Sequence, residues 1–293
     1  EPGPWSPSFD EADDLDGLSL QAWVTTAYLM VSTISTPIYG KLSDIFGRRP
    51  LFIIAISIFL VGSLLAGIAS SMYELAIFRA VQGLGAGGLM SLALTTMGDM
   101  LAPRDRAKYQ GYFLAVFGVS SVIGPLIGGL LAGADTILFI TGWRWVFLIN
   151  LPIGLIALTI VLRFLHVPHI RRSVRIDWWG AVALIVATVP LLLIAEQGRE
   201  WGWLSGGALA CYSLGIAGII AFIAIERMMG DDALLPLKLF RSSTFAMATL
   251  ISVLVGFAMF GALTTIPLYL QLVNGVTPTE SGLLTLPLML GLL

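Results

Sequence analysis

The sequence predicts an all-α protein that crosses a membrane many times. The chain is 57% hydrophobic and only 12% charged, and its mean hydropathy of +0.91 is too high for one soluble core of this length. Charged residues fall in clusters and leave uncharged stretches of about the 20 residues that a helix needs to cross the hydrocarbon. No stretch alternates like a membrane β-strand, so helices are the expected way to satisfy the backbone in lipid.

The uncharged stretches predict about nine spans, one after another along the chain. They are 19–39, 51–70, 75–98, 109–131, 145–162, 179–195, 206–225, 245–271 and 279–293. The ninth stops at the chain end, and we expect it to be incomplete. The chain starts at Glu1 without a signal peptide, which predicts a cut through an outer loop and at least one missing earlier span.

The distribution of basic residues predicts the orientation of the spans. Thirteen of the 16 basic residues fall on alternate loops, which is the positive-inside pattern of a plasma-membrane protein. The basic loops are therefore expected to be cytoplasmic. Residues 1–18, which carry six acidic side chains, are expected to form an extracytoplasmic loop.

The segment that joins the first two spans is short and charged. It runs Gly-Lys-Leu-Ser-Asp-Ile-Phe-Gly-Arg-Arg from Gly40 to Arg49. Gly40 and Gly47 permit a tight backbone, and Asp44 is placed to accept N–H groups at the next helix start. Arg48 and Arg49 offer planar donor forks to a carboxylate. The spacing predicts a hinge rather than a plain positive-inside anchor.

A carboxylate partner for this hinge stands at the end of the third span. Asp99 is expected on the same inner face as Asp44 and Arg48. A network of the three would clamp the inner ends of two spans in one state and release them in another. The alternative is that the arginines only anchor the loop and the acid at position 44 is incidental.

The third span carries a run of glycines from Gly83 to Gly88. Their spacing matches a dinucleotide-binding loop, but no strand precedes them and the surroundings are hydrocarbon. The better interpretation is that Gly83 and Gly87 form a small-xxx-small pair that lets a neighbouring helix approach closely. Gly124, Pro125 and the glycines that follow repeat the device in the fourth span, where the proline is expected to bend the helix.

Arg79 is the one basic residue inside a span, about one helical turn from its start. A buried arginine costs about 2.5–3.5 kcal/mol on insertion scales, so it should face a polar partner or cavity. Gln82 and Gly83 share its helix face and favour a transport pathway. Two alternatives remain open: the side chain snorkels to the outer headgroups, or it pairs with Glu74.

Other functional classes find little support in the residues. His166 and His169 lie on a basic loop without a Cys or carboxylate ligand set, so no metal site is expected. Cys211 lies inside an apolar span and is expected to fill a helix interface. No serine stands with a base and no span carries paired acids, so an enzyme is not expected. No partner nucleic acid is expected either.

Several motifs together resemble one known family. Gly40–Arg49 resembles the signature loop between the second and third helices of the major facilitator superfamily. Arg79–Gly83 resembles its fourth-helix motif. Other stretches are similar to the fourteen-helix drug:proton antiporter branch: Trp143–Pro152, Ile176–Gly180 and Leu234–Phe240. The resemblance covers nearly everything after about residue 17.

The resemblance implies a partial helical bundle. The nine spans would be helices two to ten of fourteen: 19–165 holds helices two to six, 166–244 holds the inner loops and an inserted hairpin, and 245–293 begins the C-terminal bundle. The family's antiporter motif would fall on five residues of the fourth predicted span. They are Gly118, Gly124, Pro125, Gly128 and Gly129.

The resemblance also implies a function. A member of this branch would export hydrophobic or amphipathic drugs by proton antiport with alternating access, as a monomer in contact with lipid, substrate and protons. No cofactor is implied beyond the proton gradient. Trp23, Tyr28, Phe113 and Phe117 are expected near the substrate cavity, where aromatic faces suit organic cations. The alternatives are a facilitator or symporter of another small molecule, or a non-functional truncated membrane protein.

Overall fold

The computed structural model describes residues 21–132, 134, 136–166, 177–276, 284, 285 and 287. Nine α-helices lie in these ranges: α1 Gln21–Phe46, α2 Arg48–Gly67, α3 Met72–Met100, α4 Pro103–Ala132, α5 Arg144–Leu148, α6 Asn150–Phe164, α7 Trp178–Trp201, α8 Gly206–Met229 and α9 Ser243–Leu272. Short 3₁₀ turns follow α8 at Gly230–Asp232 and precede α9 at Leu237–Arg241. The predicted acidic loop 1–18 and most of the predicted span 279–293 lie outside the described residues.

The helices confirm the predicted all-α membrane architecture. Within the described ranges, five helical segments are long and apolar enough to cross a bilayer: Arg48–Gly67, Met72–Met100, Arg144–Phe164, Trp178–Trp201 and Gly206–Met229. Three further predicted spans coincide with α1, α4 and α9. The predicted count of nine spans is not confirmed, because these three are not among the five segments and most of the ninth lies outside the described residues.

Within the described residues, a small β-hairpin lies between α4 and α5, and the sequence did not predict it. Its strands β1 Thr136–Ile137 and β2 Ile140–Thr141 are antiparallel. Leu138 and Phe139 form the turn with φ of 51° and 66°, the left-handed pair that suits the twist of a tight hairpin. The indole Nε1 of Trp145 donates to the carbonyl of Ile137 at 2.8 Å and ties the hairpin to α5.

The helices divide into two compact units. One spans residues 11–100 and 147–237 and contains α1, α2, α3, α6, α7 and α8. The other spans residues 101–146 and 238–293 and contains α4, the β-hairpin and α9. The domain boundaries predicted from the sequence, after residues 165 and 244, stay predictions.

Glycines on α3 bring three helices of the first unit into backbone contact. A Cβ at Gly83 would fall on the carbonyl of Tyr28 in α1, and one at Gly87 would fall on the carbonyl of Ser32, one turn further along α1. On the other side of α3, a Cβ at Gly85 would lie 2.6 Å from the carbonyl of Ala55 in α2. The small-xxx-small spacing therefore works as predicted, and it serves two neighbours at once.

The hairpin of α7 and α8 is built by caps and by the same close packing. Asp177 caps α7 by accepting from the Gly180 N–H at 2.7 Å, and Ser205 caps α8 by accepting from the Ala208 N–H at 3.2 Å. A Cβ at Gly218 of α8 would meet the backbone of Ala187 in α7. Cys211 is buried beside Ile194 and Ala208, so it fills the interface as predicted.

The hinge between the first two helices is shorter than the sequence predicts. Helix α1 continues through Gly40 and ends only at Phe46, so Gly40 supplies no turn. Gly40 lies against α3, where a Cβ would make an ordinary van der Waals contact of 3.4 Å with the Ser91 hydroxyl. The chain turns at Gly47 alone, whose φ of 94° is in the region that favours glycine.

Replacing Gly83 with alanine tests the packing of α1 on α3. The added methyl group would overlap the Tyr28 carbonyl, and overpacking of this kind costs about 1–3 kcal/mol. We expect a lower melting temperature and a smaller folded fraction in detergent. Gly98→Ala on the same helix is the control, since a Cβ there meets nothing within 4 Å. Equal melting temperatures for the two variants would contradict the packing described here.

Candidate functional site

A guanidinium at the start of α2 joins the ends of α1 and α3. The Nη2 atom of Arg48 lies 2.6 Å from Asp44 Oδ1 on α1, and its Nε lies 2.8 Å from Asp99 Oδ2 on α3. The Arg48 side chain is only 11% exposed, whereas the two carboxylates are 48% and 47% exposed. The structure thus brings together the three residues of the predicted network, with the arginine enclosed and its partners at the rim.

The backbone around Gly47 positions this arginine. The Gly47 N–H donates to the Ser43 carbonyl at 3.0 Å, which closes the last turn of α1 before α2 begins. The Nη1 atom of Arg48 donates to the Ser43 hydroxyl and, at 3.5 Å, to the Gly40 carbonyl. Asp44 therefore pairs with Arg48 and does not cap α2. The start of α2 has no side-chain cap.

The strength of these two ion pairs depends on how exposed the carboxylates are to solvent. Pairs with a solvent-exposed partner contribute about 0.2–1 kcal/mol, because water screens and competes for the carboxylate. Losing both partners would cost more, since Arg48 would then be an enclosed charge without compensation. One contact at a time can therefore be exchanged for water at small cost, while the arginine keeps at least one acceptor.

Arg49 has a different partner, which the sequence did not predict. Its Nη2 donates to the carbonyl of Leu162 at 2.6 Å, in the last turn of α6. Carbonyls in the last turn of a helix lack intrahelical donors and carry partial negative charge, so a guanidinium suits them well. The basic residue after the hinge thus ties α2 to the end of α6. No acidic side chain takes part, which is why a search for charge pairs misses the contact.

A chain of polar side chains runs through the middle of the same unit. Arg79 on α3 donates to the side-chain carbonyl of Gln82, and Gln82 Nε2 donates to the Ser63 hydroxyl of α2 at 2.7 Å. Gln82 is 2% exposed and Ser63 is fully buried. Because each buried polar group is satisfied by the next, the chain can lie inside an apolar bundle.

The guanidinium of Arg79 also lies against aromatic rings. Its central carbon is 4.0 Å from the ring centre of Tyr28 on α1 and 5.7 Å from that of Phe147 on α5. Both distances are within the range of cation–π attraction. Glu74, the alternative partner raised by the sequence, instead accepts from the Ser70 N–H and hydroxyl at 2.9 and 2.7 Å. Arg79 is thus directed into the helix bundle by Gln82 and Tyr28.

The predicted antiporter motif lies on α4 in the second compact unit. Gly118 is buried there, and α4 runs through Gly124, Pro125, Gly128 and Gly129 as one helix. Among the described residues, nothing lies within 4 Å of a Cβ at Gly124 or Gly128. The close helix approach expected at this motif stays a prediction.

The four aromatic residues predicted near a substrate cavity lie on two helices. Trp23 and Tyr28 are partly buried on α1, and Tyr28 is the ring under Arg79. Phe113 is 39% exposed and Phe117 partly buried on α4, in the other unit. Their meeting in one cavity stays a prediction. Within the described ranges, no group of three or more His, Cys, Asp and Glu residues is placed to hold a metal.

Two acids that the sequence did not single out are buried near the hinge. Asp177 is 2% exposed and Glu226 is 1% exposed. From the sequence, residue 177 is expected in a loop and residue 226 at the charged end of a span. The only signal was that both positions directly adjoin apolar helices.

Comparison with known proteins agrees with this architecture. Residues 3–293 match the family described as Major Facilitator Superfamily. The chain is 40% identical over 281 residues to the "Multidrug transporter protein MdtP" of Bacillus subtilis, covering 96% of this chain and 51% of that protein. It is 37% identical over 279 residues to "Multidrug resistance protein 3" of the same organism, covering 95% and 53%.

Similarity extends to fungal proteins. The chain is 34% identical over 274 residues to "Efflux pump dotC" of Dothistroma septosporum, covering 92% of this chain and 46% of that protein. The chain spans about half the length of the curated relatives it matches. The family match covers almost every residue, including all the helices described above. The chain belongs to the major facilitator superfamily.

Proposed function

We propose that this chain works in a secondary transporter that exports hydrophobic or amphipathic compounds in exchange for protons. The observation that carries the proposal is the enclosed guanidinium of Arg48, held by half-exposed carboxylates on two different helices. The names of the relatives, which include a multidrug transporter and an efflux pump, support the substrate class. The protein would act as a monomer in the cytoplasmic membrane, with its basic loops inside.

The Arg48 network has the properties that a gate requires. Alternating access needs contacts that hold one state firmly and separate without a large penalty. Asp44 and Asp99 meet this need because water can replace either of them at the rim. Arg49 and the carbonyl at the end of α6 would keep α2 attached while the network opens.

The polar chain of Arg79, Gln82 and Ser63 supports the proposal of a transport pathway. A cation enclosed by Gln82 and Tyr28 supplies a fixed positive potential inside an apolar bundle. Such a charge disfavours a second cation at the same place. We propose that Arg79 lines the transport pathway together with Gln82 and Gly83, as the sequence predicts.

Everted membrane vesicles that contain the transporter test the exchange. With an imposed pH gradient, we expect uptake of a fluorescent hydrophobic dye that stops when the gradient is collapsed. Vesicles without the protein serve as the control. Dye exchange that follows only its own gradient would identify a facilitator, and no movement at all would refute drug export.

Replacing Asp44 with asparagine tests the gate. The amide keeps the size of the side chain but removes the charge held by Arg48. A pair with a half-exposed carboxylate contributes about 0.2–1 kcal/mol, so we expect transport to slow by up to about fivefold while insertion is unchanged. Asp105→Asn is the control, since Asp105 is an exposed acid near the start of α4. Equal transport by both variants would contradict the gate.

Replacing Arg79 with lysine tests the pathway. Lysine keeps the charge but has no planar fork to reach Gln82 and stack on Tyr28. We expect proton-driven dye transport to fall about tenfold, from a lost interaction of about 1.4 kcal/mol or more. Arg199→Lys, at an exposed position of α7, is the matched control. If both lysine variants transport like the wild type, the proposed role of Arg79 is wrong.

A further inference from the structure

The chain that follows α8 turns back and lies against α1. Gly230 permits the reversal, because its φ of 60° is in the region that favours glycine, and a 3₁₀ turn continues to Asp232. Residues 230–237, which we call the strap, lead from α8 to the 3₁₀ turn before α9. Ala233 in the middle of the strap is fully buried. The middle of the strap is therefore enclosed by other parts of the chain.

One residue of α8 holds the strap at two points. Glu226, in the last turn of the helix, accepts from the Gly230 N–H through its backbone carbonyl. Its side-chain Oε2 accepts from the Leu235 N–H at 2.9 Å. The Glu226 side chain is almost fully buried, so both contacts are shielded from competing water. They fix the path of the strap relative to the end of α8.

A lysine of α1 holds the strap from the other side. Lys41 Nζ donates to the carbonyl of Ala233 at 2.9 Å, across 192 residues of sequence. Hydrogen bonds with a charged donor are stronger than neutral ones. The contact joins α1 to the strap and, through Glu226, to the end of α8.

Apolar side chains pack beside this contact. Helix α1, the start of α7 and the strap leave between them a cavity of only about 10 Å³, about the space of one water molecule. The apolar residues that line it are Ile38, Leu42, Trp178, Ala181 and Leu234. The α7–α8 hairpin is thus attached to α1 twice at one end, by packing at the start of α7 and by the strap at the end of α8.

The attachment lies next to the proposed gate. Lys41 is three residues before Asp44, which pairs with Arg48. With 3.6 residues per turn, the two side chains leave the same turn of α1. A tilt or rotation that moves Asp44 away from Arg48 therefore also moves the donor that holds the strap.

We propose that the strap holds the α7–α8 hairpin to α1 through Lys41, so that the hairpin moves together with the helix that carries Asp44. Lys41 is then a positioning residue, because it acts through the strap and not on the transported compound. The movement rests on the proposed gate, whereas the attachment itself does not.

Pulsed electron resonance on the purified transporter tests the attachment. Labels are placed at Phe46→Cys on α1 and at Leu204→Cys in the turn between α7 and α8, after replacement of the native cysteine by Cys211→Ala. Phe46 and Leu204 are 57% and 85% exposed. The labels lie at opposite ends of the hairpin, whose length is about 36 Å, so a swing of the hairpin changes their separation. We expect one narrow distance, which Lys41→Met should broaden because methionine has no donor for the strap.

Two control variants separate this role of Lys41 from a general loss of structure. Lys41→Arg keeps a charged donor and should keep the narrow distance, as should Lys108→Met at an exposed position of α4. Hydrogen exchange gives a second readout. Lys41→Met should speed exchange of the strap amides about tenfold while the middles of α7 and α8 stay as protected as in the parent.

The result that would overturn the strap is a parent with two distances, or a Lys41→Met variant with the same distance and exchange as the parent. Adding a hydrophobic dye or a pH gradient should leave the distance between residues 46 and 204 unchanged. A distance that changes under these conditions would overturn the joint movement. None of these readouts requires transport, so failure of the strap is distinguishable from failure of the proposed drug export.

Discussion

The structure depends on one electrostatic constraint: a guanidinium enclosed at the end of an apolar helix bundle must be neutralised from two sides. Arg48 meets this constraint through Asp44 on α1 and Asp99 on α3. The geometry fixes the rotation of both helix ends, because a turn of either helix would carry its carboxylate away. The same acids are half exposed, so water can take their place. A contact that is specific in geometry and modest in energy suits the proposed gate.

Below the charged end of the bundle, close packing limits how α1 and α3 can slide past each other. Gly83 and Gly87 set the backbones of α1 and α3 in direct contact, and the Thr36 hydroxyl donates to the Gly87 carbonyl at 3.3 Å. Helices in such contact cannot slide past each other without steric overlap. The same packing places the Tyr28 ring beneath Arg79. The glycines thus serve the gate and the polar chain together.

The sequence predicted features that depend on local spacing and missed those that depend on tertiary contact. Asp44 and Arg48 are four residues apart, so their meeting follows from local spacing. Asp99 could be placed beside them because the order of the spans puts the end of the third span on the same membrane face. Gly40 was misread as part of the turn because its neighbour on α3 is not visible in a local pattern. Arg49 binds a backbone carbonyl, which every residue carries and no motif marks. Glu226 was missed because its burial depends on the loop after α8 folding back onto the helix.

Distance measurement between the ends of α1 and α3 tests the gate most directly. Phe46 and Met100 are 57% and 61% exposed, so a cysteine at each position can be spin-labelled. Pulsed electron resonance on the doubly labelled transporter should give two distances, one for the closed network and one longer. Their ratio should change when a transported compound or a pH gradient is added. A single distance that stays the same under every condition would contradict a gate built on Arg48.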